Sequence, residues 1–269
     1  MDNLIVLENL TYTKDDKTIL KNISLNIKKG QFVSIVGPSG SGKSVLARAL
    51  LGLIPFTGKA SVCNMLVNEN NLMEIRKKIG MVFENPDNQF VSDSVEDELA
   101  FTLENLSYAS STIRKKINDI ADYLDIKDLL NKPVNYLSGG EKQLVALASV
   151  LLTTPKILIL DEAFVMLDGV NHRKLLNLIR KIHQENKITI INVTHDMNDT
   201  IYSDRIIVMN NGQIVLNDKK DAVYEQEKIL KKVGLSLPFM VDLSKRLSYY
   251  DLTDKVYLNM CQMVEHLWK

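Results

Sequence analysis

Hydrophobic and polar positions change rhythm twice along the chain. In the first part the apolar runs are short: Leu4-Ile5-Val6-Leu7, the alternating Ile23-Ser24-Leu25-Asn26-Ile27, and Phe32-Val33-Ser34-Ile35-Val36. Runs of this length between polar turns such as Lys28-Lys29-Gly30 predict strands. The third run stops at a glycine-rich segment, and Val45 to Leu51 follows with helical composition. From about Ser94 to Leu152 the period lengthens. Ile113, Ile117, Ile120 and Leu124 recur at spacings of three and four, which predicts a helix capped by Ser111 or Thr112. Apolar runs return at Lys156 to Leu160 and Ile188 to Val193, with an amphipathic stretch from Asn171 to Gln184 between them. That is a βαβ unit, and it predicts an α/β fold with a largely parallel core. Asn211-Gly212, inside Asp204 to Val215, predicts a hairpin with a tight primed turn. After Lys219 the pieces are helical and broken at Gly234 and Pro238. The expected organisation is one nucleotide-binding domain over residues 1–218, with a helical subdomain at about 90–152. A C-terminal helical accessory or dimerisation region, 219–269, follows it.

Composition narrows the range of partners. The chain holds 33 basic and 33 acidic side chains, so no global field steers it to nucleic acid or anionic lipid. The first residues carry Asp2 and Glu8 and no basic region, which does not read as a secretory signal. No apolar stretch approaches the ~18 residues that span a bilayer. A soluble chain is expected, with any membrane role reached through a partner. Cys63 and Cys261 form no CxxC and sit near no histidine cluster, so they read as reduced thiols.

Four segments carry chemistry. Gly37-Pro38-Ser39-Gly40-Ser41-Gly42-Lys43-Ser44 fits GxxxxGK[ST] and lies between a predicted strand and a predicted helix. Its glycines let backbone N–H groups turn toward phosphate oxygens, and the helix adds its positive end. Lys43 then reaches the β- and γ-phosphates, and the Ser44 hydroxyl binds Mg²⁺. The apolar run Ile157 to Leu160 delivers Asp161-Glu162 at its end. Unpaired buried carboxylates are costly, and a metal-bound water on Asp161 resolves that cost while Glu162 polarises the attacking water. Leu137-Ser138-Gly139-Gly140-Glu141 offers N–H and hydroxyl donors to an anion, and taken alone it is equally a helix cap. His195 follows the strand Ile188 to Val193.

The order of these segments resembles an ABC-type ATPase: P-loop, LSGGE signature, Walker B strand, D-loop and H-loop, over roughly residues 4 to 218. The resemblance implies a P-loop NTPase fold with an N-terminal antiparallel β-subdomain and an inserted helical subdomain. It further implies a head-to-tail dimer with two ATP molecules between subunits. Ser138, Gly139 and Gly140 of one chain would touch the γ-phosphate held by the other. Asp168, in Met166-Leu167-Asp168, matches the D-loop aspartate that couples the two sites, and His195 would contact the γ-phosphate. Asn85-Pro86-Asp87-Asn88-Gln89-Phe90-Val91, Ser94-Val95-Glu96-Asp97-Glu98-Leu99-Ala100-Phe101 and Gly234-Leu235-Ser236-Leu237-Pro238-Phe239 look like the A-component of energy-coupling factor (ECF) transporters. Such subunits import vitamins or metal ions at the cytoplasmic face of the membrane. The resemblance implies a second A-component, giving a heterodimer (a homodimer is the alternative), a transmembrane T-component and an exchangeable substrate-binding membrane protein. No nucleic acid partner is expected. The rival readings are a weakly hydrolysing regulatory subunit and a soluble non-transport ABC ATPase.

Three positions depart from the family pattern. Glu84 stands where the Q-loop glutamine is expected after Val82-Phe83, and it is retained as a metal-site residue. Lys14 stands where an aromatic ring stacks on adenine, and Tyr12, two residues earlier, is the candidate substitute. Leu144 replaces an arginine that often follows the signature, and Ala163 replaces a common proline after Asp161-Glu162.

Overall fold

A computed structural model describes residues 3–267. Met1, Asp2, Trp268 and Lys269, the outer ends of the two expected regions, lie outside the described residues. Two long strands, β1 (Asn3–Lys14) and β2 (Lys17–Lys28), pair antiparallel, and their alternating apolar residues Ile5, Leu7, Leu10, Leu20, Ile23 and Ile27 turn inward. The short β3 (Phe32–Val36) is buried on both faces, as its apolar run, interrupted only by Ser34, leads one to expect. It feeds α1 (Lys43–Leu50). Next come β4 (Thr57–Val62), β5 (Met65–Leu66), α2 (Leu72–Arg76) and β6 (Ile79–Val82). Three longer helices follow: α3 (Val95–Asn105), α4 (Ser110–Tyr123) and α5 (Gly139–Leu152).

The chain then returns to the sheet through β7 (Ile157–Asp161), α6 (Gly169–Asn186) and β8 (Thr189–Thr194). In α6 the buried residues are Leu175, Leu176, Ile179 and Ile182, the inward stripe of an amphipathic helix. A hairpin, β9 (Arg205–Asn210) and β10 (Gln213–Lys219), follows. Its two-residue turn has φ of 49° at Asn211 and 78° at Gly212, the primed geometry that Asn-Gly favours. The tail is α7 (Lys220–Glu225), α8 (Glu227–Lys232), α9 (Phe239–Tyr249) and α10 (Met260–Leu267).

These elements form the expected α/β architecture. One sheet has the order β2-β1-β4-β5 and the other β10-β9-β3-β8-β7-β6. Within the second, β9-β3, β3-β8, β8-β7 and β7-β6 are parallel, and only the β9–β10 hairpin is antiparallel. The α3–α5 helices bury Leu99, Leu103, Ile113, Ile117 and Val145 in a core continuous with β7 and α6. The tail covers the same face of the sheet at its β9 end, where Val223, Tyr224, Leu230 and Leu237 pack with Val36, Ile206 and Val208, while Val33, Ile35 and Ile207 face the core shared with the antiparallel sheet. Among the described residues no helix is long and apolar enough to cross a membrane.

One expectation fails. The N-cap of α4 is Ala109, without a side-chain cap bond, so neither Ser111 nor Thr112 starts that helix. Burial of Ile113, Ile117 and Ala121 sets its extent, because packing of an apolar face outweighs a single cap bond.

Candidate functional site

In the parallel sheet, Val36 pairs with Thr194, Asp161 with Val193, and Val82 with Leu160. The loops that leave β3, β6, β7 and β8 therefore emerge side by side at the carboxyl ends of the strands, where open α/β sheets bind ligands. They enclose a cavity of about 280 Å³ lined by Ser39, Gly40, Gly42, Lys43, Ser44, Val45, Glu84, Glu162, Val165 and His195. That volume falls just below the ~300–1,000 Å³ range of small-molecule sites.

The loop after β3 curls as its glycines allow. Gly40 has φ of 77° and Gly42, the N-cap of α1, φ of 99°. At Gly37 a side chain is excluded by proximity, since a Cβ would lie 2.2 Å from the Met209 carbonyl oxygen on β9. Pro38 accepts from the Ser41 N–H at 3.1 Å, and the Ser41 Oγ is buried without a hydrogen-bond partner. The Lys43 ammonium is only 5% exposed and donates to the carbonyls of Gly37 (2.8 Å) and Pro38 (3.2 Å). It also lies 3.5 Å from Glu162 Oε1. Ser44 Oγ donates to Asp161 Oδ1 at 2.6 Å.

Glu162 holds the centre of the site. Its φ is 53°, an uncommon backbone state for a side chain of this size, fixed by its N–H bond to the Val193 carbonyl at 2.9 Å. Such residues cost ~1–3 kcal/mol and cluster where geometry must be held. The turn aims one carboxylate oxygen at Lys43 and the other at His195, whose Nδ1 is 2.7 Å away. His195 is half-exposed, and its Nε2 is directed away from that bond. Burial pushes the Asp161 carboxyl above the usual carboxylate range, against the Ser44 hydroxyl and Arg48, while Glu162 and Glu84 push it further up. This concentration of negative charge beside a hydroxyl suits a hard cation. Among the described residues no group of three His, Cys, Asp or Glu side chains is set to hold a metal unaided. A divalent ion here would draw its remaining ligands from phosphate and water, as Mg²⁺ does.

The remaining candidates stand apart from this cavity. Ser138 caps α5: its Oγ accepts from the Glu141 N–H, and Glu141 reaches back to the Ser138 N–H at 2.8 Å. Gly139 and Gly140 form the first turn of that helix. Asp168 caps α6, accepting from the N–H groups of Val170 and Asn171, both at 2.9 Å. Tyr12 is half-buried against the core beneath the antiparallel sheet and is not on the cavity wall.

The ABC transporter family model matches residues 20–165. The chain is 43% identical to the energy-coupling factor transporter ATP-binding protein EcfA of Pediococcus pentosaceus, over 97% of this chain and 94% of that one. It is 39% identical to EcfA1 of Bacillus licheniformis, over 99% and 97%. The chain belongs to the ABC transporters, and within them to the ECF ATP-binding proteins. It is an ATPase of that family, whose ATP hydrolysis is coupled to transport. Among solved structures this ABC ATPase resembles cbiO1 of Clostridium perfringens, part of the ABC transporter complex cbiONQ. The TM-score is 0.79 at 34% identity, over 91% of this chain and all of the other. It also resembles the ATP-binding cassette MJ0796, solved as a dimer in a post-hydrolysis state with ADP and Pi, with TM-score 0.72 at 30% identity over 80% and 98%.

Sequence reasoning on this ABC ATPase missed two residues beside the site. Gln143 is buried on α5, and its Nε2 donates to the carbonyls of Phe83 (3.3 Å) and Glu84 (3.1 Å). It ties the Glu84 segment to the helix that Ser138 caps. Its signal was a glutamine heading an otherwise apolar helical stretch. His172, in the first turn of α6, is the second.

Proposed function

We propose that this chain is the ATP-hydrolysing subunit of an ECF-type importer, peripheral on the cytoplasmic face of the membrane. It takes up a vitamin or a metal ion through a transmembrane T-component and an exchangeable substrate-binding component. A second A-component closes its site: Ser138, Gly139 and Gly140 of that partner face the phosphates held by Gly37 to Ser44, and Asp168 joins the two sites. We favour a heterodimer; a homodimer is the alternative. The small cavity supports this arrangement, because at about 280 Å³ it is smaller than a complete small-molecule site of ~300–1,000 Å³.

In this reading Lys43 leaves the Gly37 and Pro38 carbonyls for the β- and γ-phosphates. Ser44 and Asp161, with Glu84 nearby, would hold Mg²⁺, which neutralises phosphate charge when bound. Glu162 accepts the proton of the attacking water. His195 keeps its Nδ1 on Glu162, so that its Nε2 is free for the γ-phosphate. Tyr12 is the candidate for the adenine face. Positioning and charge neutralisation carry most of phosphoryl transfer, and this site is built from both.

The Lys43–Glu162–His195 chain of contacts carries the reading. Glu162→Gln in the assembled transporter should lower turnover about 10²–10⁴-fold, the usual contribution of a general base. It should leave ATP bound in a trapped dimer, seen by size-exclusion chromatography with nucleotide analysis. Turnover within two-fold of the unaltered complex would refute the assignment. Glu84, a carboxylate on the cavity wall, motivates a second reading as a weakly hydrolysing regulatory subunit. That reading predicts that only the matching glutamate change in the partner stops hydrolysis.

A further inference from the structure

His172 sits where two walls of the site meet. Its Nε2 is 2.6 Å from Asp199 Oδ1, and Asp199 is only 2% exposed. The other carboxylate oxygen, Oδ2, accepts from the Thr194 hydroxyl at 2.5 Å. Thr194 Oγ1 in turn accepts from the Asp196 N–H at 3.0 Å. His195 thus lies between Thr194, whose hydroxyl is held by the Asp199 carboxylate, and Asp196, whose N–H is held by that hydroxyl. On its opposite side the His172 ring meets Phe164 edge-on, with centroids 5.4 Å apart, and Phe164 is two residues beyond Glu162. Both members of the Glu162–His195 pair are flanked by the contacts of one imidazole. A carboxylate as buried as Asp199 demands a donor, and losing it would let the turn from Thr194 to Asp199 relax.

We propose that His172 is a positioning residue for hydrolysis, holding the segment that carries His195 through Asp199 and Thr194 and linking it to the start of α6. The inference rests on the reading of Glu162 and His195 given above. The Asp199 bond holds the His172 imidazole protonated to higher pH than an ordinary histidine, against burial and with further help from the charges of Asp199 and Asp196. Asp196 and Asp199 face the ring from the turn after β8, and Asp168 and Arg173 neighbour it on α6. Pro238, Phe239, Met240, Leu258, Asn259 and Met260, from the tail, complete the cleft beside it without a titratable group. The imidazolium–carboxylate pair is therefore intact at low pH and weakens as pH rises through the raised pKa.

The test uses the full chain and imidazole NMR, which is tractable because the sequence contains four histidines. In the unaltered chain the His195 signals should carry an inflection at the pKa of His172, although the rings do not touch. H172Q and D199N should each remove that inflection and shift His195. H172R should hold His195 at its low-pH wild-type signals and abolish the inflection, since arginine stays charged throughout. In the assembled transporter, H172Q should lower kcat about ten-fold with KM for ATP unchanged, short of the ~10²-fold of a full 1 Å misplacement. H172R should restore kcat and flatten its pH profile. His195 signals with no inflection at the pKa of His172, unmoved in H172Q and D199N, would overturn the proposal, even if melting temperature fell. Normal turnover in Glu162→Gln would instead sink the underlying reading, while the His195 signals would still report on the positioning.

Discussion

A glycine series across the phosphate loop separates two physical causes that a motif treats as one. Gly37→Ala places a Cβ 2.2 Å from the Met209 carbonyl oxygen and 2.7 Å from Ser41 Oγ. Neither can be relieved by a long flexible side chain, so the loop must move about 1 Å from β9. Overpacking of this kind costs ~1–3 kcal/mol. Gly40→Ala meets nothing within 4 Å, but at φ of 77° it requires a left-handed alanine, costing ~1–2 kcal/mol. Gly169→Ala, at the start of α6, meets neither obstacle and should stay within about 0.5 kcal/mol of the parent. With ~1.4 kcal/mol per tenfold in affinity, Gly37→Ala should weaken ATP binding about ten-fold or more, because its strain displaces the phosphate-facing backbone itself. Gly40→Ala should lose a few-fold, and Gly169→Ala nothing. Isothermal titration with ATP and Mg²⁺, beside thermal melting, measures both quantities. Gly37→Ala with parental affinity and melting temperature would refute the steric account. Gly40→Ala as damaging as Gly37→Ala would show that dihedral strain alone governs the loop.

Gln143→Leu removes two donors to the Phe83 and Glu84 carbonyls, a loss of ~1–3 kcal/mol, but also removes a buried Oε1 that has no partner, a gain of similar size. Melting should therefore shift by only about 3 °C while the affinity for MgATP falls, and a shift beyond about 6 °C would sink that balance. The caps contribute to stability in acid. Backbone N–H bonds from Asn171 and Val170 hold the Asp168 carboxyl below its usual range, and the Ser138 N–H and hydroxyl do the same for Glu141. Both contributions are present above pH ~4.5, where unfolded carboxyls are ionised, and fade as pH drops through the lowered native values. Melting curves from pH 6 to 3 should flatten in the Asp168→Asn, Glu141→Gln double variant; an unchanged slope would contradict the assignment.

Much of the fold was legible because its signals are local. Phe32 to Val36 and Ile188 to Val193 are predominantly apolar runs, interrupted only by Ser34, Thr189 and Asn192, and strands buried on both faces use such runs in so few residues. Asn211-Gly212 states its own turn. The start of α4 was not legible, because Ser111 and Thr112 advertise a cap that tertiary burial of Ile113 and Ile117 overrides. Gln143 and His172 were missed for a related reason. Each acts on a segment 59 or 27 residues away, and nothing near them in sequence names Glu84 or Asp199.

The signature segment shows why one pattern supports two roles. Ser138 and Glu141 satisfy each other and fix the first turn of α5 in a capping box. The box uses the N–H groups of Ser138 and Glu141. It leaves those of Gly139 and Gly140, which the helix geometry itself does not satisfy. Two small residues without side chains in the way, on a turn whose dipole favours negative charge, are free to face an anion on another molecule. The cap is therefore compatible with the proposed phosphate contact, and would prepare it. On this view Ser138→Ala should loosen the α5 start in the isolated chain as well as weakening closure of the pair, whereas Gly140→Ala should spare the Ser138 cap and weaken closure, with a small further cost where its Cβ meets Asn171 at 3.3 Å.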